Sequence, residues 1–292
     1  MSKVWFVTGS SRGLGREIVL AALGRGDRVA ATARRPELLD DLVVTHPGAL
    51  AALPLDVTDP IAVRSAVDAA MAEFGRLDVV VNNAGYADLA AFEDTTPEGF
   101  RAQIETNLFG PVHVTKAALP ILREQGGGSV IMVSSVGSRS SSPGLSAYQT
   151  AKWAISGLSG ILAKEVGPLG IRVTAIEPGG MRTEWAGASM AKPEPSPPYR
   201  EIIQAAAQAH ATVATAAFGD PKKIAQAILH IADMDAPPAR LLLGTDALAV
   251  AQGTSRALAA RDTEYEQLTR STDRDDITEE QRAALSLDEH TA

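Results

Sequence analysis

A chain of 292 residues, 45% hydrophobic and 21% charged, is long enough to bury a sizeable core and needs no division into two domains. Its formal net charge of -8 argues against a nucleic-acid surface, which requires a dominant basic stripe. It contains no cysteine, so disulfides, thiolate nucleophiles and cysteine-based zinc sites are excluded, and chemistry falls to oxygen and nitrogen groups or to a cofactor. No apolar run approaches the roughly 20 residues of a membrane helix. The opening MSKVWFVTGSS enters an apolar strand without the basic start and cleavage site of a secretory signal, so a cytoplasmic location is expected.

Seven short runs rich in valine, isoleucine and leucine follow in chain order: KVWFVTG, RVAATAR, LAALPLDV, LDVVVNNAG, GSVIMVSS, IRVTAIEPG and RLLLG. Runs of this kind suit strands covered on both faces. Between them the spacing predicts helices over 13–25, 36–44, 60–74, 97–124, 146–166, 200–217, 221–234 and 246–260. Strand followed by helix, repeated, predicts an α/β protein with a doubly wound, seven-stranded parallel sheet and helices on both faces. Two loops interrupt the rhythm, SRSSSPGLSA at 138–147 and a longer one at 179–200. Both follow the carboxyl ends of strands, where doubly wound sheets bind ligands.

Directly after the first strand, TGSSRGLG opens the first helix. Gly9, Gly13 and Gly15 permit a tight turn and close backbone approach to a pyrophosphate, with Ser11, Arg12 and Leu14 between them and a helix N-terminus behind. The spacing TGxxxGxG differs from the usual GxGxxG. It resembles the short-chain dehydrogenase/reductase family, and the resemblance continues in order through NNAG at 82–85, Asn107 in ETNLFG, VSS at 133–135, YQTAK at 148–152 and PGGMRT at 178–183. It covers roughly residues 1–260 and implies a single-domain Rossmann fold, here 1–261, with a substrate lid at about 179–217. Residues 262–292 depart from the family pattern and read as a charged C-terminal extension.

At the end of the second strand, where an NAD-preferring protein would place an acid, this chain has Arg34 and Arg35. They and Arg12 suit a 2'-phosphate, so NADP(H) is the expected cofactor. By resemblance Asp56 meets the adenine amino group with Val57 beside the ring; read alone, Asp56 could equally cap the helix beginning near Asp59. The resemblance also carries Asn83 to the adenosine ribose, and assigns Ala84, Gly85, Pro178 and Gly179 to the cofactor site and Thr183 to the nicotinamide carboxamide.

Tyr148 and Lys152 lie four apart on a predicted helix and share a face. A nearby ammonium stabilises a phenolate and is expected to bring a tyrosine down from about 10 by roughly 1 to 3 units. The resemblance makes Tyr148 the acid or base, and Ser135 the donor to the substrate oxygen, with Ser134 one residue out of register. It adds Lys152 against the nicotinamide ribose and the Asn107 backbone carbonyl as holder of a relay water. Singly, these could be an exposed helical pair, a turn residue and a helix kink; in this order on matching elements they imply hydride transfer between NADP(H) and a carbonyl or secondary alcohol.

Tyr86, Leu89, Phe92, Val136, Met181, Trp185 and Met190 are expected to line the substrate pocket, and their apolar character suggests a lipophilic ketone. TARR and FGDPKKIAQAI are loosely similar to the 17-beta-hydroxysteroid and retinol dehydrogenase branches. The five histidines lie on separate segments without ligand spacing, so no metal is expected, and His113 reads as a hydrogen-bonded core residue. No GxSxG elbow supports a hydrolase. Two other outcomes stay open: a nucleotide sensor without turnover, and an isomerase or dehydratase on the same fold. The resemblance further implies a homodimer or homotetramer acting on a small molecule, with no nucleic acid and no membrane span.

Overall fold

Alternation inside the strands decides the layering. In the first strand, β1 (Val4–Thr8), Trp5 and Val7 point to one face of the sheet while Val4 and Phe6 point to the other, and all four are fully buried. Two apolar layers result, one on each face. The computed structural model describes residues 2–181, 190–215, 218–278 and 280–281.

After β1 come α1 (Gly13–Gly24), β2 (Arg28–Ala33), α2 (Asp40–Thr45), β3 (Leu50–Pro54), α3 (Pro60–Phe74) and β4 (Val79–Asn82). The second half runs α4 (Pro97–Ile104), α5 (Gly110–Glu124), β5 (Gly128–Val133), α6 (Ser146–Val166), β6 (Ile171–Pro178), α7 (Arg200–Thr215), α8 (Pro221–Asp233), β7 (Arg240–Leu243), α9 (Thr245–Glu264) and α10 (Glu266–Arg270). All seven predicted strands form. They make one parallel sheet in the order β3-β2-β1-β4-β5-β6-β7. The order reverses between β1 and β4, which opens a crevice at their carboxyl ends. Residues of α1 and α8 pack on the Trp5 side, and those of α3, α5 and α6 on the Phe6 side.

Local chemistry sets the helix starts. Asp59 caps α3 by accepting from the amides of Ile61 and Ala62, Thr96 caps α4 through Gly99, and Asp220 caps α8 through Lys222. A proline occupies the first turn of each of these helices, where its missing N–H costs nothing. Capping of α3 by Asp59 removes the alternative in which Asp56 served that purpose.

Two predicted helices differ in detail. The stretch 36–44 is a 3-10 turn, Pro36–Leu39, followed by the short α2; Val43, Val44 and Thr45 are β-branched and support a longer helix poorly. The stretch 97–124 is broken by a π-helical turn at Glu105–Phe109. Pro111 has no amide hydrogen to return to the carbonyl of Asn107, four residues earlier, so a regular ladder cannot run through this point.

The chain divides into two compact units, Met1–Ala251 and Gln252–Ala292. The first contains the whole sheet. In the second, the end of α9 and all of α10 are exposed, with Glu266 and Arg270 paired one turn apart. Among the described residues no helix is long and apolar enough to cross a membrane.

Candidate active site

The glycine loop is shaped by backbone approach. Gly9 and Gly13 have φ of 66° and 55°, and a Cβ on Gly9 would lie 2.9 Å from the Ala84 Cα. At Gly15 a Cβ would sit 2.2 Å from the Gly9 carbonyl oxygen and 2.5 Å from Asn83 Nδ2, so no side chain fits there. Thr8 Oγ1 accepts from the amides of Asn83 and Ala84, both at 3.0 Å, and Asn83 Nδ2 donates to the carbonyls of Thr8 (2.9 Å) and Gly9 (3.1 Å). These bonds stitch the end of β1 to the end of β4. Asn83 therefore braces the loop with the amide group expected to meet a ribose.

The first turn of α1 carries no acid, and the preceding Arg12 is extended without a side-chain cap bond, which suits an anion at this helix start. Leu14 is buried in the core, so only its backbone faces the loop; Ser11 is half-buried. Arg34 lines a cavity of about 550 Å³ together with Asp56, Leu55 and the α3 residues Ala62, Ser65 and Ala66. Arg35 is exposed and starts the 3-10 turn outside that lining. Asp56 Oδ1 accepts from the Thr58 amide and hydroxyl, and Val57 is buried beneath Gly110. A loop no side chain could fill, an acid-free helix start and a guanidinium at the adjoining cavity together fit a phosphorylated dinucleotide.

Four further residues converge on the β4 and β5 ends. Lys152 Nζ donates to the Val133 carbonyl at 2.7 Å and stands 5.5 Å from the centre of the Tyr148 ring. Ser135 hydrogen-bonds Tyr148, and its Oγ also accepts from the Gly137 amide at 3.0 Å. Asn107 is fully buried in the π-helical turn; its Nδ2 donates to the carbonyls of Tyr86 (2.8 Å) and Gln103 (2.9 Å), and its Oδ1 has no partner. A Cβ on Gly85 would fall 2.6 Å from that orphaned oxygen and 3.6 Å from Lys152 Nζ, so Gly85 leaves open the space these groups face. Ser134 points the other way, sharing 2.8 Å with Ser156 Oγ.

The electrostatics differ from the expected lowering of the phenol. Burial pushes the Tyr148 phenol up to about 12, only partly offset by the hydrogen bond from Ser135, and brings the Lys152 ammonium down to about 8. Desolvation outweighs pairing because both groups are buried and the ammonium is directed at the Val133 carbonyl. Tyr86 is raised by burial and by the Asp88 carboxylate, with the Arg34 guanidinium acting in the opposite sense across the crevice.

Beside Tyr148 lies an apolar cluster of Ala87, Leu89, Ala91, Leu145, Met190 and Ile203. The backbone of Leu89 donates to Ala191, Ser196 donates to Asp94 and Tyr199 Oη donates to Glu93, which ties the chain at 190–199 to the loop after β4. Tyr199 and Ala207 pack against the cluster; Tyr86 and Val136 are half-buried and are not among its members, and Phe92 is largely exposed against the edge of Phe100. Met181 bridges to Gly219 and packs on the α8 side of the sheet rather than in this cluster. Thr183 and Trp185 lie outside the described residues. After Pro178, the Gly179 amide donates to Leu243 and the Gly180 amide to Asp246 Oδ2, at 3.0 and 2.7 Å. Sequence reasoning missed Asp246 and Thr8; Thr8 had a signal in its fixed place before the glycines, Asp246 none. His113 is half-buried and its Nδ1 bonds the Val57 carbonyl.

The chain matches the family model described as short chain dehydrogenase over residues 3–194. It is 49% identical to Oxidoreductase BOA17 of Botryotinia fuckeliana, covering 92% of this chain and 98% of that protein. A short-chain dehydrogenase from Streptomyces avermitilis is 42% identical with a TM-score of 0.88, covering 93% of this chain and 98% of the other. An alcohol dehydrogenase from Thermococcus sibiricus, solved with 5-hydroxy-NADP, is 27% identical with a TM-score of 0.70 over 84% of this chain and 97% of its own. Likeness sustained over this much of the sequence and the sheet places the chain in the short-chain dehydrogenase/reductase family, as an oxidoreductase.

Proposed function

We propose that this protein is an NADP(H)-dependent oxidoreductase that interconverts a lipophilic ketone and its secondary alcohol. The observation that carries the reading is the meeting of Ser135, Tyr148 and Lys152 at the open flank of Gly85, beside the Leu89–Ile203 apolar cluster. Arg34, with Arg12, would hold the 2'-phosphate, Asp56 the adenine, and the amides of the Gly9–Gly15 loop the pyrophosphate. The preference for NADP(H) is supported by the absence of an acid at the end of β2 and by the related structure solved with 5-hydroxy-NADP. NADP(H), when bound, supplies or accepts the hydride.

Ser135 Oγ donates to the substrate oxygen, and the Tyr148 phenol gives that oxygen its proton or takes it back. Burial raises the phenol, so Tyr148 is protonated at neutral pH and carries the proton that reduction of a ketone requires. Lys152 orients the ribose, and its ammonium, together with the Asn107 backbone carbonyl, which Pro111 cannot bond, returns the proton to Tyr148 from solvent. The substrate's apolar part lies against Leu89, Leu145, Met190 and Ile203. We assign the catalytic domain to 1–261, which runs past the Ala251 end of the first compact unit, the lid to about 179–217 and an extension to 262–292, and infer that the protein works as a homo-oligomer in the cytoplasm.

The test follows NADPH consumption with small, aromatic and lipophilic ketones, with NADH run alongside. Tyr148→Phe is expected to reduce kcat by about 10²- to 10⁴-fold with NADPH affinity unchanged. Tight NADPH binding without turnover on any ketone would instead favour a nucleotide sensor, and equal use of NADH would remove the assigned role of Arg34.

A further inference from the structure

Beneath the site lies a polar cluster that the chemistry above does not use. Glu177, near the carboxyl end of β6, is 0% exposed. Its Oε1 accepts from Ser138 Oγ (3.1 Å), Ser156 Oγ (3.1 Å) and Arg240 Nε (2.6 Å), and its Oε2 accepts from Arg139 Nε. Arg240 also donates to Ser138 Oγ at 3.3 Å. Ser156 Oγ shares a hydrogen bond with Ser134 Oγ, which donates to the carbonyl of Lys152 at 3.2 Å.

A carboxylate buried this completely is costly unless paired and hydrogen-bonded, and apolar residues could hold the same elements together at least as firmly. What the carboxylate adds is a fixed set of directions. Its partners come from the turn after β5, from α6 and from β7. Ser138 and Arg139 follow Ser135 by three and four residues, and Ser156 lies one helical turn beyond Lys152. One side chain therefore links the segment that presents Ser135 to the helix that presents Tyr148 and Lys152.

We propose that Glu177 is a positioning residue that holds the Ser135 hydroxyl against the Tyr148 phenol by gripping Ser138 and Arg139 on one side and Ser156 on the other. The consequence for catalysis rests on the reductase reading above; the geometric claim does not. Lys152 faces the phenol, and Arg139 and Arg240 face Glu177. Removing a carboxylate, or leaving its two guanidiniums uncompensated, would by charge alone ease ionisation of a neighbouring phenol. Losing the hydrogen bond from Ser135 acts the opposite way, because that bond stabilises the phenolate. The sign of the change in Tyr148 therefore separates positioning from electrostatics, and a merely structural role moves neither.

The experiment uses the full-length protein with fluorotyrosine at its four tyrosines, the Tyr148 signal in fluorine NMR being assigned by Tyr148→Phe. In Glu177→Gln the Tyr148 titration is expected to move upward by about one pH unit. In the unlabelled variant kcat should fall by about 10- to 100-fold with NADPH affinity unchanged. Ser138→Ala, which removes one arm and leaves both ion pairs, should shift Tyr148 the same way by less, and it decides the matter if Glu177→Gln does not fold. An unchanged or lowered Tyr148 titration in the folded variants overturns the proposal. If the native protein reduces no ketone yet the upward shift is seen, the positioning stands and the reductase reading falls; with turnover and no shift, the reductase reading stands and the positioning falls.

Discussion

The two ends of the crevice are built from different materials. At the dinucleotide end, Gly9 is confined by the backbone of Ala84 just after β4 and Gly15 by the carbonyl of Gly9 within the loop itself, and Thr8 and Asn83 lock the two strand ends together. At the end proposed for the substrate, Leu89, Leu145, Met190 and Ile203 meet as side chains brought from four separate segments. Backbone confinement admits one residue type at each position, whereas an apolar cluster accepts many combinations of similar volume. On the proposed reading the first end should therefore tolerate few substitutions and the second many. Substitutions should separate the two accordingly.

The largest effect is expected at Gly15. Gly15→Ala would place a methyl group 2.2 Å from the Gly9 carbonyl, which has no flexible end to yield. Overpacking against backbone should cost about 3 kcal/mol or more, read as a lowered urea midpoint, with NADPH affinity falling in the same variant. A variant as stable as the native protein would mean that the loop accommodates a side chain, and the contrast between the two ends would lose its basis.

Lys152 and Tyr148 stand where the ends join, and their burial ties stability to pH. With Lys152 brought down to about 8, the folded protein binds fewer protons than the unfolded chain between that value and 10.5, so stability is lost as pH falls through 8 and recovered above it. Tyr148, pushed up to about 12, does the opposite: its contribution is present below 10 and is lost as pH rises toward 12. The urea midpoint should thus climb from pH 8, peak at about pH 10 and fall, with an amplitude of roughly 2 kcal/mol. Lys152→Met should flatten the rising limb and Tyr148→Phe the falling one. A flat native profile would show that water reaches both groups.

Legibility in the sequence follows the same division. Glycines at fixed spacing announce a loop because nothing else fits, and Tyr148 and Lys152 announce a shared face because a helix repeats every 3.6 residues. The sheet was legible because its strands are apolar on both faces and separated by helical spacing. The break at Glu105–Phe109 also had a signal, in Pro111 four residues after Asn107, although the stretch reads by periodicity as one helix. The raised phenol had none. An ammonium four residues away predicts lowering, and only the packing shows that burial dominates. Asp246 and Glu177 were likewise silent, since each acts on a segment distant in sequence, Asp246 on Gly180 and Glu177 on Ser138 and Ser156. The packing of Met181 on the α8 side was equally invisible, because an apolar residue after β6 suits either neighbour.

The smallest effect is expected at Ile203, where α7 reaches the cluster beside Tyr148 and the residue's Cδ1 lies 3.4 Å from where a Cβ on Gly144 would be. Ile203→Val removes that methyl group while keeping shape and χ1 preference, so stability should fall by only about 0.5 to 1.5 kcal/mol. If the cluster holds the substrate's apolar part, losing one methyl contact should raise KM for a lipophilic ketone about fourfold, from roughly 0.8 kcal/mol of burial. KM for a small ketone and the affinity for NADPH should stay as they are, because neither reaches this side chain. A rise in both KM values would assign Ile203 to the general closure of the site rather than to substrate recognition. A change in NADPH affinity would show that the two ends, separately built, are energetically one.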